Sequence, residues 1–363
     1  MKLWTDATVA PAGAPRVALL YPVWGAPPED PHDANTGRFD RLAREGRGLV
    51  ELVPLEDADV AVLAAPWEVV RDDEAVRERA LQFIARAAAA GRKTIVFFND
   101  DDDRPLELDG AIVFRTSLYR SRRRPYELAL PAWSEDFLER YLQGTLPLRE
   151  KLLRPVVGFC GVAFEATSRL ARPRRRVSAA LRRPVRDPGV RAVALRRLRE
   201  SPLVDANIVL RDSFWGGALS GDDSHRQMQD ARREYVQNMV DSDYVLCARG
   251  SGNFSYRLYE TLSCGRIPVF VDTDCVLPLE DEIDWRALCV WVDARRVDRI
   301  ARAVRSFHDG LSPEAFIELQ RRARAAWEDF LSEDEIWSVI LFVYDQTGWK
   351  PRTWEKTAEA GHD

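Results

Sequence analysis

The strongest constraint in this chain is a regular alternation of short apolar runs and helical stretches, each run ending on glycines, acids or other loop-forming residues. DADVAVLAAPW at 57–67 reads as a strand, VVRDDEAVRERALQFIARAAAAG at 69–91 as a long helix closed by Gly91, and RKTIVFFNDDDD at 92–103 as a strand opening onto an acidic loop. RVALLYP at 16–22 gives an earlier strand ahead of a Pro-, Gly- and Asp-rich loop, and GAIVFRTS at 110–117 and YELALPAW at 126–133 give two later ones. A second series starts at RPVVGFCG, 154–161, and continues through ANIVLRDSFWGG, a helix from His225, DYVLCARGSG and RIPVFV. Strand and helix in succession are the order of a parallel sheet covered by helices. The expected organisation is an α/β domain over 1–150, a second over 151–335, and a C-terminal helix and tail over 336–363. Near the end, Ser312, Pro313 and Glu314 read as a helix start, and Ser332 with Glu335 as a capping box.

Composition agrees with two folded domains and narrows the function classes. A chain of 363 residues with 46% hydrophobic content can fill two cores at roughly 150 residues per domain. The formal net charge of -5 excludes an overall basic footprint for nucleic acid. Cys160, Cys247, Cys264, Cys275 and Cys289 form no CxxC pair and the four His are isolated, so no disulfide framework, metal site or bound cofactor is expected. No run approaches the roughly 18 apolar residues of a membrane span, and the first twenty residues lack a secretory apolar core. A cytoplasmic location follows as the expectation. Between Arg172 and Arg199 there are 11 Arg and one acid, Asp187. That stretch reads either as an anion-facing helix pair, for an acidic membrane lipid or an anionic substrate, or as a solvated surface.

Residues 243–271, DYVLCARGSGNFSYRLYETLSCGRIPVFV, pack a strand, a glycine turn, a helix and a strand into one segment with polar groups at every junction. Arg249 falls at the carboxyl end of the strand, where open α/β sheets bind ligands. Gly250 and Gly252 allow a sharp turn and close approach, and the amides near Ser255 can receive phosphate oxygens. Arg257 can join Arg249 in neutralising a diphosphate, and Glu260 can accept two ribose hydroxyls. The alternative is a plain Arg257–Glu260 surface pair. GSGNFS lacks the third glycine of a dinucleotide fingerprint, although Asp272 and Asp274 could imitate its acid, which leaves a nicotinamide enzyme as a minor reading.

The stretch 245–285, through Cys247, Arg249, Gly250, Ser255, Arg257, Glu260, Gly265, Pro268, Val269, Leu277 and Pro278, resembles the signature block of the exostosin-like glycosyltransferases, glycosyltransferase family 47. RDSFWGGA at 211–218 resembles the piece that precedes it, and Ala248 stands where the family usually has Pro. The resemblance covers about 206–292. It implies two Rossmann-like domains facing across a cleft, of GT-B type, with C-terminal helices packing back toward the first domain. It further implies a nucleoside-diphosphate sugar donor, preferably of UDP type, held by Arg249, Gly250, Ser255, Arg257 and Glu260 of the second domain, and a glycan or other hydroxyl acceptor over the first. No anchor of the kind most eukaryotic members carry is visible. The expectation is a soluble protein, or one peripheral to an acidic membrane through 172–199, acting in bacterial-type polysaccharide biosynthesis.

Two arginines and helix amides can meet the leaving-group charge without a metal, and inversion requires a base within hydrogen-bond reach of the acceptor. The candidates, in order, are Asp100 in the acidic loop, His32 after the first strand, and Asp223 after the Gly216–Gly217 loop. Asp272 and Asp274 either line the sugar pocket or cap a turn. Competing functions are a GDP-sugar-dependent fucosyl-type transferase, a non-catalytic nucleotide- or sugar-binding scaffold, and a nucleic-acid module resting only on 172–199.

Overall fold

A computed structural model describes residues 1–11, 13–29, 36–132, 134–163, 189–213 and 224–332. The first sheet has six parallel strands: β1 (Lys2–Trp4), β2 (Glu51–Leu52), β3 (Val60–Val62), β4 (Thr94–Phe98), β5 (Ala111–Arg115) and β6 (Glu127–Ala129), in the order β2-β1-β3-β4-β5-β6. Every residue of TIVFF and AIVFR in β4 and β5 is buried, as a parallel sheet covered on both faces requires. Alternate side chains serve opposite cores. Ile95, Phe97, Ile112 and Phe114 join one cluster with Leu3 and Val60, and Val96, Phe98, Ala111 and Val113 join the other with Val76, Phe83 and Ile84 of the helix Glu74–Ala89. That helix starts where Asp73 accepts the Val76 amide at 3.1 Å, and Gly91 at φ 74° turns the chain after it.

One strand expectation fails. RVALLYP forms a 3-10 turn, Ala18–Leu20, that runs into a short helix, Tyr21–Trp24, and only the Val17 amide reaches the Ala64 carbonyl. Pro22 lacks the N–H a ladder needs, and its fixed φ suits a first helical turn. Val17, Leu19 and Leu20 still bury in the core, so the apolarity of the run reports burial and not the element. The strand position beside β3 belongs to β1.

The second sheet contains β7 (Val156–Val162), β8 (Asp205–Arg211), β9 (Tyr244–Cys247), β10 (Ile267–Asp272) and β11 (Val290–Asp293), all parallel, in the order β11-β10-β9-β7-β8. The helices Val190–Arg199, Ser224–Val240, Tyr256–Ser263 and Ile300–Asp309 connect or flank these strands. The helix Pro313–Phe330 is capped by Ser312, whose Oγ accepts the Ala315 amide at 3.1 Å. It returns toward the first domain, where Arg324 forms two 2.7 Å bonds to Asp136 and Trp327 Nε1 donates to Ser134 Oγ at 3.1 Å.

The carboxyl edges of the two sheets face each other, the GT-B arrangement. The loop after β5 meets the loop after β10, with Tyr119 bridged to Cys275, the Arg120 amide donating to the Asp274 carbonyl at 2.8 Å, and Arg120 paired with Glu280. His32, Asp223, the Gly216–Gly217 loop, most of the arginine run and the 336–363 tail lie outside the described residues.

Candidate active site

The chain leaves β7 for β8 on one side and returns to β9 on the other, so the β7/β9 boundary is the topological switch point of the second sheet. Ligands of open α/β sheets bind in the crevice outside the strand ends at such a point. Three arginines converge there. Arg191, from the helix Val190–Arg199, spans the two strand ends: Nη1 donates to the Val162 carbonyl at 3.0 Å and Nη2 to the Ala248 carbonyl at 2.9 Å. Arg257 donates from Nη2 to the Cys160 carbonyl at 2.8 Å, and its guanidinium lies 4.3 Å over the Phe159 ring. Gly161, at φ 146°, makes this approach possible, because a Cβ there would fall 3.0 Å from Arg257 Nη2. Arg249 ends β9 and turns toward the first domain, donating to the Tyr119 hydroxyl, to Asn253 Oδ1 at 3.3 Å and to the Ser251 carbonyl.

The electrostatics are those of an anion site. Among the described residues none of the three arginines pairs with a carboxylate, and the buried Nε atoms of Arg191 and Arg257 have no hydrogen-bond partner. Burial, with the charges of Arg257 and Arg249 adding to it, pulls the Arg191 guanidinium down to about 10. An anion between these groups would relieve both the mutual repulsion and the missing bonds. Ser255, the cap of the helix Tyr256–Ser263, makes no side-chain cap bond, so its hydroxyl does not compete for the amides of the first turn. Gly250 belongs to the same turn, and a Cβ there would touch Arg191 Nη2 at 3.4 Å.

Glu260 is differently placed from a solvent-facing ribose acceptor. Only 6% of it is exposed; Oε1 accepts from Arg232 Nη1 at 3.1 Å and Oε2 from the Tyr235 hydroxyl. Arg232 is shared with Glu135, whose Oε1 accepts from its Nε at 3.0 Å. Burial opposes the charge on Arg232, but Glu260 and Glu135 outweigh it and raise its pKa. Tyr235 in turn presents its ring 5.4 Å from the Arg257 guanidinium. Arg257 and Glu260 therefore do not pair; they are joined through Tyr235.

On the first domain, Asp100 is ion-paired and partly exposed. Its Oδ2 accepts from Arg71 Nη2 at 2.7 Å and its Oδ1 from the Asp102 amide at 2.7 Å. Arg104 beside Asp102 holds that carboxyl down to about 2. Asp101 instead lies against the glycine turn of the second domain, where a Cβ on Gly252 would fall 2.6 Å from its Oδ1. Asp272 accepts the Asp274 amide at 2.9 Å and Trp291 Nε1 at 3.2 Å, and Asp274 takes the Ser121 amide at 3.1 Å. Asp272 caps the turn after β10, and Asp274 ties that turn to the first domain. Glu68, in the short helix Trp67–Val70 beyond β3, accepts the Asn99 amide at 3.1 Å. It carries no sequence signal, sitting inside the mostly apolar AAPWEVV. Arg191 is likewise one of 11 undistinguished arginines until its helix docks on β7. Among the described residues no three His, Cys, Asp or Glu gather as a metal site.

The Exostosin GT47 domain profile matches residues 194–307. Exostosin-1 of Drosophila melanogaster is 31% identical over 104 residues, 29% of this chain and 13% of that protein. A probable beta-1,4-xylosyltransferase of Arabidopsis thaliana is 33% identical over 87 residues, 24% of this chain and 20% of that one. The matches thus span less than a quarter of either relative's length. Among solved structures, TarM of S. aureus, crystallised with fondaparinux, alpha-GlcNAc-glycerol and UDP, aligns over 79% of this chain and 55% of its own, at 10% identity and a TM-score of 0.38. The matched residues begin within the helix Val190–Arg199, after Arg191, and take in the strand and glycine turn that carry Arg249 and the helix that carries Arg257 and Glu260. Through residues 194–307 the chain is similar to the exostosin GT47 family.

Proposed function

We propose that this protein is a nucleotide-sugar-dependent glycosyltransferase of exostosin type, with the donor diphosphate at the β7/β9 switch point and a hydroxyl acceptor entering from the first domain. The observation that carries this reading is the convergence of Arg191, Arg249 and Arg257 without a carboxylate partner, beside a helix start whose cap side chain is free of the first-turn amides. Breaking a sugar–phosphate bond adds negative charge to the diphosphate, and fixed cations and amides in a partly buried site stabilise it without reorganising. Two arginines and the turn suffice for that task, which supports a metal-independent reaction. Inversion, a UDP-type donor and a glycan acceptor in polysaccharide biosynthesis follow the family likeness. No helix among the described residues is long and apolar enough to cross a membrane; a cytoplasmic or membrane-peripheral setting belongs to the same reading.

The test is thermal stabilisation of the full chain by uridine, guanosine, adenosine and cytidine diphosphates, with and without magnesium, repeated on Arg257→Ala and Arg191→Ala. The expected result is stabilisation of the wild type by one nucleotide, independent of magnesium and lost in both variants; saturation at 100 times Kd corresponds to about 2.7 kcal/mol. Guanosine selectivity would transfer the reading to a fucosyl-type donor. Equal stabilisation of wild type and variants would remove the diphosphate from this site.

A further inference from the structure

We propose that Glu68 is the catalytic base that takes the proton from the acceptor hydroxyl, an assignment that rests on the glycosyltransferase reading above. Glu68 follows β3 at the carboxyl edge of the first sheet, and Asn99, whose amide fixes its Oε2 at 3.1 Å, follows the neighbouring β4. The carboxylate is thus held by backbone at the edge that faces the second domain. Across from it stands Tyr256, the first residue of the helix whose start lies beside the arginines; Glu260, Asp101 and Glu68 are all near enough to its hydroxyl to add to the effect of burial in raising its pKa. A hydroxyl between Glu68 and the helix start would lie between a base and a donor held by Arg191 and Arg257.

The competing acids are spent or differently placed. Asp100 and Asp102 share Arg71, Asp102 also binds Arg104, and Asp103 lies 3.9 Å from Arg122. Asp101 is exposed and presses on Gly252. Glu68 is half-buried and, among the described residues, in salt-bridge contact with no cation; Arg71, whose charge acts on it, is engaged by Asp100 and Asp102. Its surroundings favour the protonated form: burial is the largest effect and Asp100 adds to it, against its own and the Asn99 amides and the more distant charge of Arg71. Tyr256 faces it from the second domain, and Arg38, Asp101 and Glu260 are the other charges that act on the Tyr256 hydroxyl. A carboxylate with a raised pKa, anchored by backbone amides, is a stronger base than an ion-paired one.

The step balances without a co-reactant. The acceptor oxygen forms a bond to the anomeric carbon as its proton passes to Glu68, and the bond from that carbon to the diphosphate oxygen breaks. The electron pair leaves on the nucleoside diphosphate, opposite Arg191 and Arg257.

The experiment measures nucleoside-diphosphate release by the full chain from a panel of UDP- and GDP-sugars, with water and with p-nitrophenyl glycosides as acceptors, from pH 5 to 9. Wild type is compared with Glu68→Gln and Asp101→Asn, and nucleotide binding is measured in parallel. Glu68→Gln is expected to bind nucleotide as wild type does, to lose about 100- to 10,000-fold in kcat at little changed donor KM, and to lose the acidic limb of the pH–rate profile. That limb should lie above the usual carboxylate range. Wild-type rate and limb in Glu68→Gln would overturn the assignment, and their loss in Asp101→Asn alone would give the role to Asp101. Failure of the wild type to bind any nucleotide would instead overturn the donor-site reading. Binding without turnover of any donor would overturn both the enzymatic reading and the base, leaving a binding protein.

Discussion

Arg257 sits on the face of Phe159 with a strand-end carbonyl on one nitrogen and nothing on Nε, a placement that leaves it available to an anion. Its support runs through Tyr235 to Glu260 and Arg232. This chain of contacts gives Glu260 a role separable from ribose binding. Glu260→Gln would keep a hydrogen-bond acceptor but remove one of the two charges that balance buried Arg232. Breaking a buried pair from one side costs about 3–5 kcal/mol, and the residual amide contact places the loss near the lower end. The expected outcome is a lowered urea midpoint, with nucleotide affinity reduced only modestly when measured well below the transition. Unchanged stability with affinity abolished would mean that Glu260 meets the nucleotide directly. Legibility divides at this scale by sequence distance. Arg249, Ser255, Arg257 and Glu260 share one strand–turn–helix, so their neighbourhood can be read from spacing. Arg191 meets Ala248 across 57 residues, and Glu68 meets Asn99 across 31, contacts that exist only once helices have docked on the sheets.

The helix Ile300–Asp309 buries a histidine whose partners fix the hydrogen on Nε2. His308 Nε2 lies 2.7 Å from the Leu152 carbonyl and must carry the hydrogen, so Nδ1 is the lone pair that accepts from the Tyr244 hydroxyl at 3.0 Å. The neutral ring meets both partners, and burial favours it over the charged one. Burial, aided by Lys151, holds the pKa of His308 below 6.5, against the Leu152 carbonyl, Asp243 and Asp309. The unfolded chain binds a proton below about 6.5 where the folded one does not, so this contribution to stability is complete above that pH and declines as pH falls through it. Between pH 7.5 and 5.5, melting temperature should fall more steeply in wild type than in His308→Gln. A steeper fall in the variant would refute the neutral ring. The strands show how far periodicity reaches among elements. Runs such as TIVFF and AIVFR are strands because both faces are covered, and their apolarity says so. RVALLYP is as apolar but carries Pro22, and Lys2–Trp4 is too short and mixed to announce itself. The same limit hides β11, whose VWVD closes the edge beside β10.

At the scale of the whole molecule, Asn253 connects the two sheets. It is fully buried in the glycine turn, and the first domain supplies two of its partners: its amide donates to Ser117 Oγ at 2.9 Å and its Nδ2 to the Leu118 carbonyl at 2.9 Å. The second domain supplies the rest, with Oδ1 accepting from Thr273 Oγ1 at 2.6 Å and from Arg249 at 3.3 Å. Arg249 then reaches Tyr119 of the first domain. The glycine turn is therefore shaped by the first domain, and the two sheets cannot separate without changing it. Asn253→Ala would leave the Leu118 carbonyl only the longer Val276 amide, and would take one acceptor from Arg249 and from Thr273 Oγ1, at a cost of about 1–3 kcal/mol for the buried groups left short of a partner. Amide hydrogen exchange should then rise together in 116–121 and 249–253, the two segments that Asn253 joins, while the β4 and β5 amides stay protected. Nucleotide affinity should weaken in step with that loosening, since an anion site built from fixed groups loses strength when its turn is free to move. Faster exchange confined to 249–253 would show that the first domain merely touches the turn. Unchanged affinity alongside loosening of both segments would show that Arg191 and Arg257 hold the anion without help from the contact between the sheets.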